Sequence, residues 1–228
     1  MKALYRFVQQ RAAYLENGSL INSESWRNEK RVTKCLDLMS KYVRRDGALL
    51  DIGSRNNLLS EFVACNYVGI DMVGKPTVKC NVEDGISFRD RSFDFIFAGE
   101  VIEHVIDTDF FLDECFRVLK EGGLLLLTTP NLGSAYNRYR LLFGKQPLSC
   151  ETRLRAGMDS GHLRCYTYSE LRTQLEEHNF QIAIKFLGDC IQGVRPLKLQ
   201  MWLGSVFKTF SLHLIFLCQK GSSNAAAG

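Results

Sequence analysis

Apolar positions recur along this chain in two rhythms. Val32, Cys35, Leu36, Met39 and Val43 follow helical spacing, with Arg31, Lys34 and Lys41 off that stripe. That pattern predicts an amphipathic helix, which Asp46-Gly47 then breaks. Short apolar runs follow: Ala48 to Gly53, Tyr67 to Asp71, Phe93 to Ala98 and Gly123 to Leu127. Between the last two, Phe111, Leu112, Cys115, Val118 and Leu119 line one side of a helix expected over Thr108 to Lys120, stopped by Glu121-Gly122-Gly123. Farther on, Phe180, Ile182, Ile184 and Phe186 alternate with Gln181, Ala183 and Lys185, a strand with one more exposed face, and Leu212 to Cys218 forms a last strand. Buried strands alternating with helices predict an α/β fold, a doubly wound parallel sheet with helices on both faces.

Composition narrows this picture only slightly. At 228 residues, with 46% apolar and 24% charged positions, the chain is long enough to bury a real core without disulfides or metal. The net charge, 29 − 25 = +4, is too weak by itself to imply nucleic acid. The eight cysteines, at 35, 65, 80, 115, 150, 165, 190 and 218, form no CxxC pair, so they read as small reduced hydrophobes rather than a zinc or redox motif. Met1 to Gly18 carries Lys2, Arg6, Arg11 and Glu16 and lacks a long apolar run, and no window is apolar enough for a membrane-spanning helix. A cytoplasmic setting is therefore expected.

In an open parallel sheet, ligands bind beyond the carboxyl ends of the strands, where the strand order reverses. The residues there are Asp51 to Asn57, Asp71-Met72, Asn81-Val82-Glu83, Ala98-Gly99-Glu100 and Thr129-Pro130-Asn131. Asp71 ends a strand 20 residues after Asp51. An acid at that place can accept hydrogen bonds from both ribose hydroxyls of a nucleoside, or simply cap a turn. The loop after Gly53 reads Ser54-Arg55-Asn56-Asn57, without the glycines of a dinucleotide-binding GxGxxG, and no Walker phosphate loop is present.

Four stretches carry a resemblance: Leu49 to Gly53; Val68 to Asp71; Ser92-Phe93-Asp94 through Glu100 to Val105; and Phe116 to Gly123 with Thr129-Pro130-Asn131. A later one is Gly161 to Arg164 with Tyr166-Thr167 and Glu170-Leu171. On these, from about Val32 to Cys218, the chain resembles the class I S-adenosylmethionine-dependent methyltransferases, in the branch with ubiquinone-pathway and bacterial small-molecule and glycan methyltransferases. The resemblance implies a Rossmann-like seven-stranded sheet with its last strand antiparallel, and S-adenosylmethionine as cofactor. It implies that Asp51 and Gly53 flank the methionine part, Asp71 holds the ribose, and Asn81 and the Val82 amide meet the adenine. Ala98 and Gly99 would line the cofactor, with Ser54 and Met72 beside it. The family's first loop is commonly DxGxGxG. Here Arg55 and Asn57 occupy the second and third glycine positions, and Asn56 or Asn57 is the expected turn residue.

The expected plan is one methyltransferase domain over residues 1–220, with a helical prelude at 1–46, an acceptor-covering insert at 131–166 and a lid at 190–210. A disordered tail follows at 221–228. Methyl transfer from a sulfonium is an in-line displacement, so the protein chiefly orients the acceptor and, where needed, removes its proton. Glu100, His104 and His162 are the catalytic candidates. Glu100, Glu103 and His104 form ExxEH, whose spacing on a helical turn puts all three on one face. With His162 they can bind a divalent cation such as magnesium, as similar residues do in some ubiquinone-pathway and small-RNA methyltransferases. A metal-independent histidine base is the preferred expectation. Tyr136, Arg138, Arg164 and Tyr166 are the acceptor-binding candidates, whereas His178 reads as a surface residue and His213 as structural. The acceptor is expected to be a small molecule or a glycan- or lipid-linked group. The alternatives are metal-assisted 2′-O-methylation of RNA, and a non-catalytic cofactor-binding partner protein.

Overall fold

The computed structural model describes residues 21–148, 150, 161–187 and 208–221. Residues 1–20 of the expected prelude, most of the 190–210 lid, residues 151–160 of the insert and the tail beyond 221 lie outside the described residues. The elements are α1 (Ile21–Tyr42), β1 (Ala48–Ile52), β2 (Asn66–Asp71), β3 (Val78–Lys79), β4 (Phe93–Gly99), α2 (Thr108–Val118) and β5 (Leu119–Pro130). They continue with α3 (Ala135–Leu142), α4 (Tyr168–Glu177), β6 (Phe180–Leu187) and β7 (His213–Lys220). The sheet has seven strands in the order β3-β2-β1-β4-β5-β7-β6. β1 to β5 run parallel, and β7 runs antiparallel between β5 and β6. The order reverses between β1 and β4, so the ligand crevice belongs at their carboxyl ends.

Successive strand residues face opposite sides, and both sides are buried. Leu49, Phe95, Phe97, Leu126, Ile215 and Leu217 pack under α1, which contributes Val32, Cys35, Leu38 and Met39. Leu50, Ile96, Ala98, Leu125, Leu127 and Phe216 face the other way, under Phe111, Leu112, Cys115 and Val118 of α2 and Leu171 and Leu175 of α4. The expected α1 stripe is shifted slightly: Leu38 is fully covered, while Leu36 and Val43 are only half-buried. Helix α2 starts on the Asp107 side chain, which accepts from the Phe110 amide, and ends two residues earlier than expected. Leu119 already pairs with Phe93 as part of β5, and Gly122 (φ 72°) and Gly123 let the chain bend within that strand. Among the described residues, no helix is long and apolar enough to cross a membrane.

His178 corrects the expectation of a plain surface residue. It caps α4, yet its ring is only 14% exposed, with Nδ1 2.7 Å from Asp113 Oδ1 and Nε2 3.2 Å from Asp109 Oδ1. It therefore links α4 to α2. Burial acts to lower its pKa, but hydrogen bonds to Asp113 and Asp109 outweigh burial, and the net shift is upward from 6.5. A raised folded pKa means stability that is fully present below the unfolded value and lost as pH rises through the folded one. His178→Gln is expected to cost about 1 kcal/mol or less, the aspartates being largely exposed, at about pH 5.5 and almost nothing at about pH 9. Urea unfolding of both proteins at the two pH values checks this; an equal loss at both would remove the ionic explanation.

Candidate functional site

The loop after β1 makes the floor of the crevice. The Gly53 and Ser54 amides both donate to the Ile70 carbonyl, at 2.9 and 3.1 Å. Gly53, Arg55 and Asn57 all have left-handed backbone, with φ 76°, 53° and 56°. The glycine-loop conformation thus persists without two of its glycines, at a cost of roughly 1–2 kcal/mol at Arg55 and less at Asn57. Asn57, not Asn56, is the turn residue. The strain at Arg55 has a visible counterweight, because its amide donates to Asp71 Oδ2 at 2.9 Å and its carbonyl accepts from Lys75 at 2.8 Å. Gly69, missed by sequence reasoning, is what lets this loop sit on β2. A Cβ there would come within 2.0 Å of Asn57 Oδ1 and 2.6 Å of Ser54 Oγ. Its only sequence signal is a glycine inside a strand, which often marks close backbone approach.

Asp71 closes the loop from the other side. One oxygen takes the Arg55 amide and the other takes Val73 at 2.9 Å, leaving further lone pairs for ribose hydroxyls. Met72 beside it is 61% exposed. Asp51 is buried and accepts from Tyr67 Oη at 2.7 Å, and the buried Ser54 hydroxyl has no hydrogen-bond partner among the described residues. Asn81 caps a short turn that Val82 begins, accepting from Glu83 at 3.2 Å and donating to Asp84 at 3.0 Å. At the end of β4, Ala98 and Gly99 are buried and small. A glycine loop, a strand-end carboxylate with spare acceptor capacity, an exposed apolar side chain next to it and an unpartnered buried hydroxyl suit a nucleoside-containing cofactor.

The acidic cluster departs from the expected helical face. Glu100 has φ 58° and precedes the single 3-10 turn Ile102–His104. Its carboxylate turns to Thr128 Oγ1 at 3.0 Å and to Arg31 Nη1 at 3.5 Å, and Arg31, 4% exposed, also donates to Thr128 at 3.0 Å. Glu100 therefore does not join Glu103 and His104. The ligand atoms that come within 4.8 Å of one another are those of Glu103, His104 and His162. Glu103 is 1% exposed; one carboxyl oxygen accepts from Thr129 at 3.0 Å and the other has no hydrogen-bond partner among the described residues. The Glu103 carbonyl accepts from Leu163 and Arg164 at 2.8 and 3.2 Å. His104 Nδ1 lies 3.2 Å from the Gly161 carbonyl. These contacts bring His162 to His104, ring centroids 4.9 Å apart.

The two carboxyls are pushed apart. Burial acts to raise the Glu100 pKa, but the Arg31 guanidinium, His213 and the Thr128 hydroxyl bring it below the usual range. Burial, then the Glu100 charge, hold Glu103 well above it. His213, expected to be structural, thus also acts on this cluster through its charge interaction with Glu100.

The acceptor-side candidates form two groups. Arg164 and Tyr166 belong to the run stitched to Glu103; the Arg164 guanidinium donates to the Ile106 carbonyl. Tyr166 is buried, and its backbone bridges to Asn131. Tyr136 and Arg138 sit on α3. Tyr136 stacks on Tyr139 at 6.5 Å, and Arg138 donates to the Gly133 carbonyl at 2.7 Å and lies 4.8 Å from the Phe210 ring centre. A groove of about 270 Å³ lined by Tyr42, Ala48, Asp94 and Lys120 lies at the amino ends of β1 and β4, away from all of this chemistry.

Residues 24–183 match the family model described as a methyltransferase domain. The human mitochondrial ubiquinone biosynthesis O-methyltransferase is 31% identical over 120 residues, 43% of this chain and 32% of that protein. The chain thus spans about a third of the length of that relative. A S-adenosylmethionine-dependent methyltransferase from Archaeoglobus fulgidus superposes with a TM-score of 0.58 at 17% identity, covering 83% of this chain and 93% of that one. A 1,6-didemethyltoxoflavin-N1-methyltransferase from Burkholderia thailandensis, solved with S-adenosylhomocysteine, gives 0.57 at 14% identity, covering 97% and 89%. At these identities the structural likeness establishes the fold alone.

Proposed function

Because this chain belongs to the methyltransferase-domain family, with the class I fold of S-adenosylmethionine-dependent methyltransferases, we propose that it O-methylates a small-molecule or glycan- or lipid-linked acceptor in a cytoplasmic setting. The observation that carries the oxygen acceptor is the His104–His162 pair beyond the end of β4, since a hydroxyl must lose a proton and an imidazole takes one near neutral pH. S-adenosylmethionine supplies the methyl group on a sulfonium. Asp71 holds the ribose, with Asp51, Gly53, Ser54, Met72, Asn81, Val82, Ala98 and Gly99 around the cofactor. His162 or His104 takes the hydroxyl proton. Glu100, charged against Arg31, supplies a fixed negative field that stabilises the positive charge developing on the imidazole. Tyr136, Arg138, Arg164 and Tyr166, in or beside the 131–166 segment, select the acceptor.

One observation favours a second, metal-assisted reading: a buried Glu103 oxygen without a hydrogen-bond partner, beside the two histidines. Glu103, His104 and His162 would hold a divalent cation, which lowers the pKa of a bound hydroxyl. This version also admits an RNA 2′-hydroxyl, and then RNA binding must weaken steeply with salt.

Calorimetry with S-adenosylmethionine tests the shared premise, and absence of binding at millimolar cofactor would sink both readings. With an active acceptor in hand, the first reading expects turnover to survive a chelator and to fall about 10²- to 10⁴-fold in His162→Ala. Loss on chelation, restored by magnesium and reproduced by Glu103→Ala, would establish the metal instead.

A further inference from the structure

We propose that Cys150 and Cys165 form a site of reversible disulfide modification, beyond anything the methyl-transfer reading assigns. Their sulfurs lie 2.9 Å apart and the residues are 15 apart in sequence. A disulfide needs about 2.0 Å, so the bond asks for a shift of less than about 1 Å. Both partners approach from anchored chain. The Cys150 carbonyl accepts from Gln146 Nε2 at 2.7 Å, and nearby Leu148 donates to Asn137 Oδ1 at 2.9 Å. Cys165 sits between Arg164, whose amide donates to the Glu103 carbonyl, and Tyr166, which bridges to Asn131. Of the remaining described cysteines, only Cys65 is comparably accessible. Cys35, Cys80, Cys115 and Cys218 are buried, and burial pushes the Cys115 and Cys218 thiols far up, which makes them inert.

The co-reactant is a low-molecular-weight disulfide such as oxidised glutathione. Burial and the facing sulfur push the Cys165 thiol up to about 12, so it is not the first nucleophile. A Cys150 thiolate attacks the small disulfide, whose S–S bond breaks and releases one thiol, leaving a mixed disulfide on Cys150. Cys165 then gives its proton to solvent, attacks the Cys150 sulfur and displaces the second small thiol. Two protein thiols are oxidised and one small disulfide is reduced to two thiols. The bridge ties the loop after α3 to the run that carries His162. In a reducing compartment such a bond is transient, which suits a redox-responsive site rather than a structural staple.

The test uses the full chain, equilibrated with oxidised glutathione, blocked with an alkylating agent and mapped by peptide mass. One dominant link between the Cys150 and Cys165 peptides is expected, lighter by two hydrogens and reopened by dithiothreitol. Cys150→Ser and Cys165→Ser should each abolish it, and Cys65→Ser should leave it intact. Complete alkylation of both thiols after oxidation, or links scattered among other cysteines, would overturn the proposal. The readout does not involve methyl transfer, so its failure is distinct from failure of the functional reading.

Discussion

Asp71→Ala is expected to weaken S-adenosylmethionine binding by about 10- to 150-fold, the loss of one charge-assisted hydrogen bond of roughly 1.5–3 kcal/mol. The carboxylate lies at the carboxyl end of β2 and already accepts amides from Arg55 and Val73. Part of the loss would therefore come from slackening the loop after β1, whose Arg55 and Asn57 hold left-handed backbone that only local bonding maintains. Asp71→Asn grades the effect. It keeps one acceptor oxygen but turns an NH2 donor toward either the Arg55 or the Val73 amide, so affinity and cofactor-free thermal stability should both fall, each by less than in Asp71→Ala. Calorimetry with parallel thermal melts provides the measurement. Unchanged affinity in Asp71→Ala would show that the ribose is held elsewhere.

The second large effect is on stability. Arg31→Leu removes the guanidinium that faces Glu100 and Thr128 and leaves a largely enclosed carboxylate uncompensated. Breaking a buried pair by deleting one partner costs about 3–5 kcal/mol. With the Glu100 side chain 22% exposed, the low end, about 3 kcal/mol, is the expectation. For a chain of this length that lowers the thermal midpoint by about 6–12 °C. The double change Arg31→Leu with Glu100→Gln should recover much of it, because the stranded charge is then gone. The sign with pH is also set. Glu100 is depressed in the folded state, so its contribution is present above its ordinary value of 4.5 and lost as pH falls through the folded value. The gap between wild type and Arg31→Leu should therefore narrow in acid. A midpoint within about a degree of wild type at neutral pH would show that the pair is energetically idle.

The layers, six of the seven strands and most of the core were legible along the chain, while the two-residue β3 (Val78–Lys79) was not. The runs at Leu49-Leu50, Phe95 to Ala98 and Leu125 to Leu127 alternate between two buried faces, and continuous apolar runs flanked by helical stripes leave few other arrangements. The strand-end positions of Asp51, Asp71 and Gly99 were legible for the same reason, since chemistry in such a sheet collects where strands end. Helix α2 was overextended because Leu119 is apolar at a helical interval, and helical periodicity cannot tell the last turn of a helix from the first residue of the strand it enters.

By itself the sequence determined the fold class and which residues stand at the strand ends, because binary pattern and strand-end position are local properties. Only the tertiary structure decided which of those residues meet. ExxEH spacing suggested one helical face. A left-handed Glu100 and a pairing with Arg31, 69 residues earlier in sequence, took Glu100 out of it, and left His162, already an expected member, beside Glu103 and His104. Gly69, Thr128 and Thr129, and the facing sulfurs of Cys150 and Cys165, gained their roles the same way. Each depends on contacts between segments far apart in the chain, and the spacing of residues along a sequence carries no information about those distances.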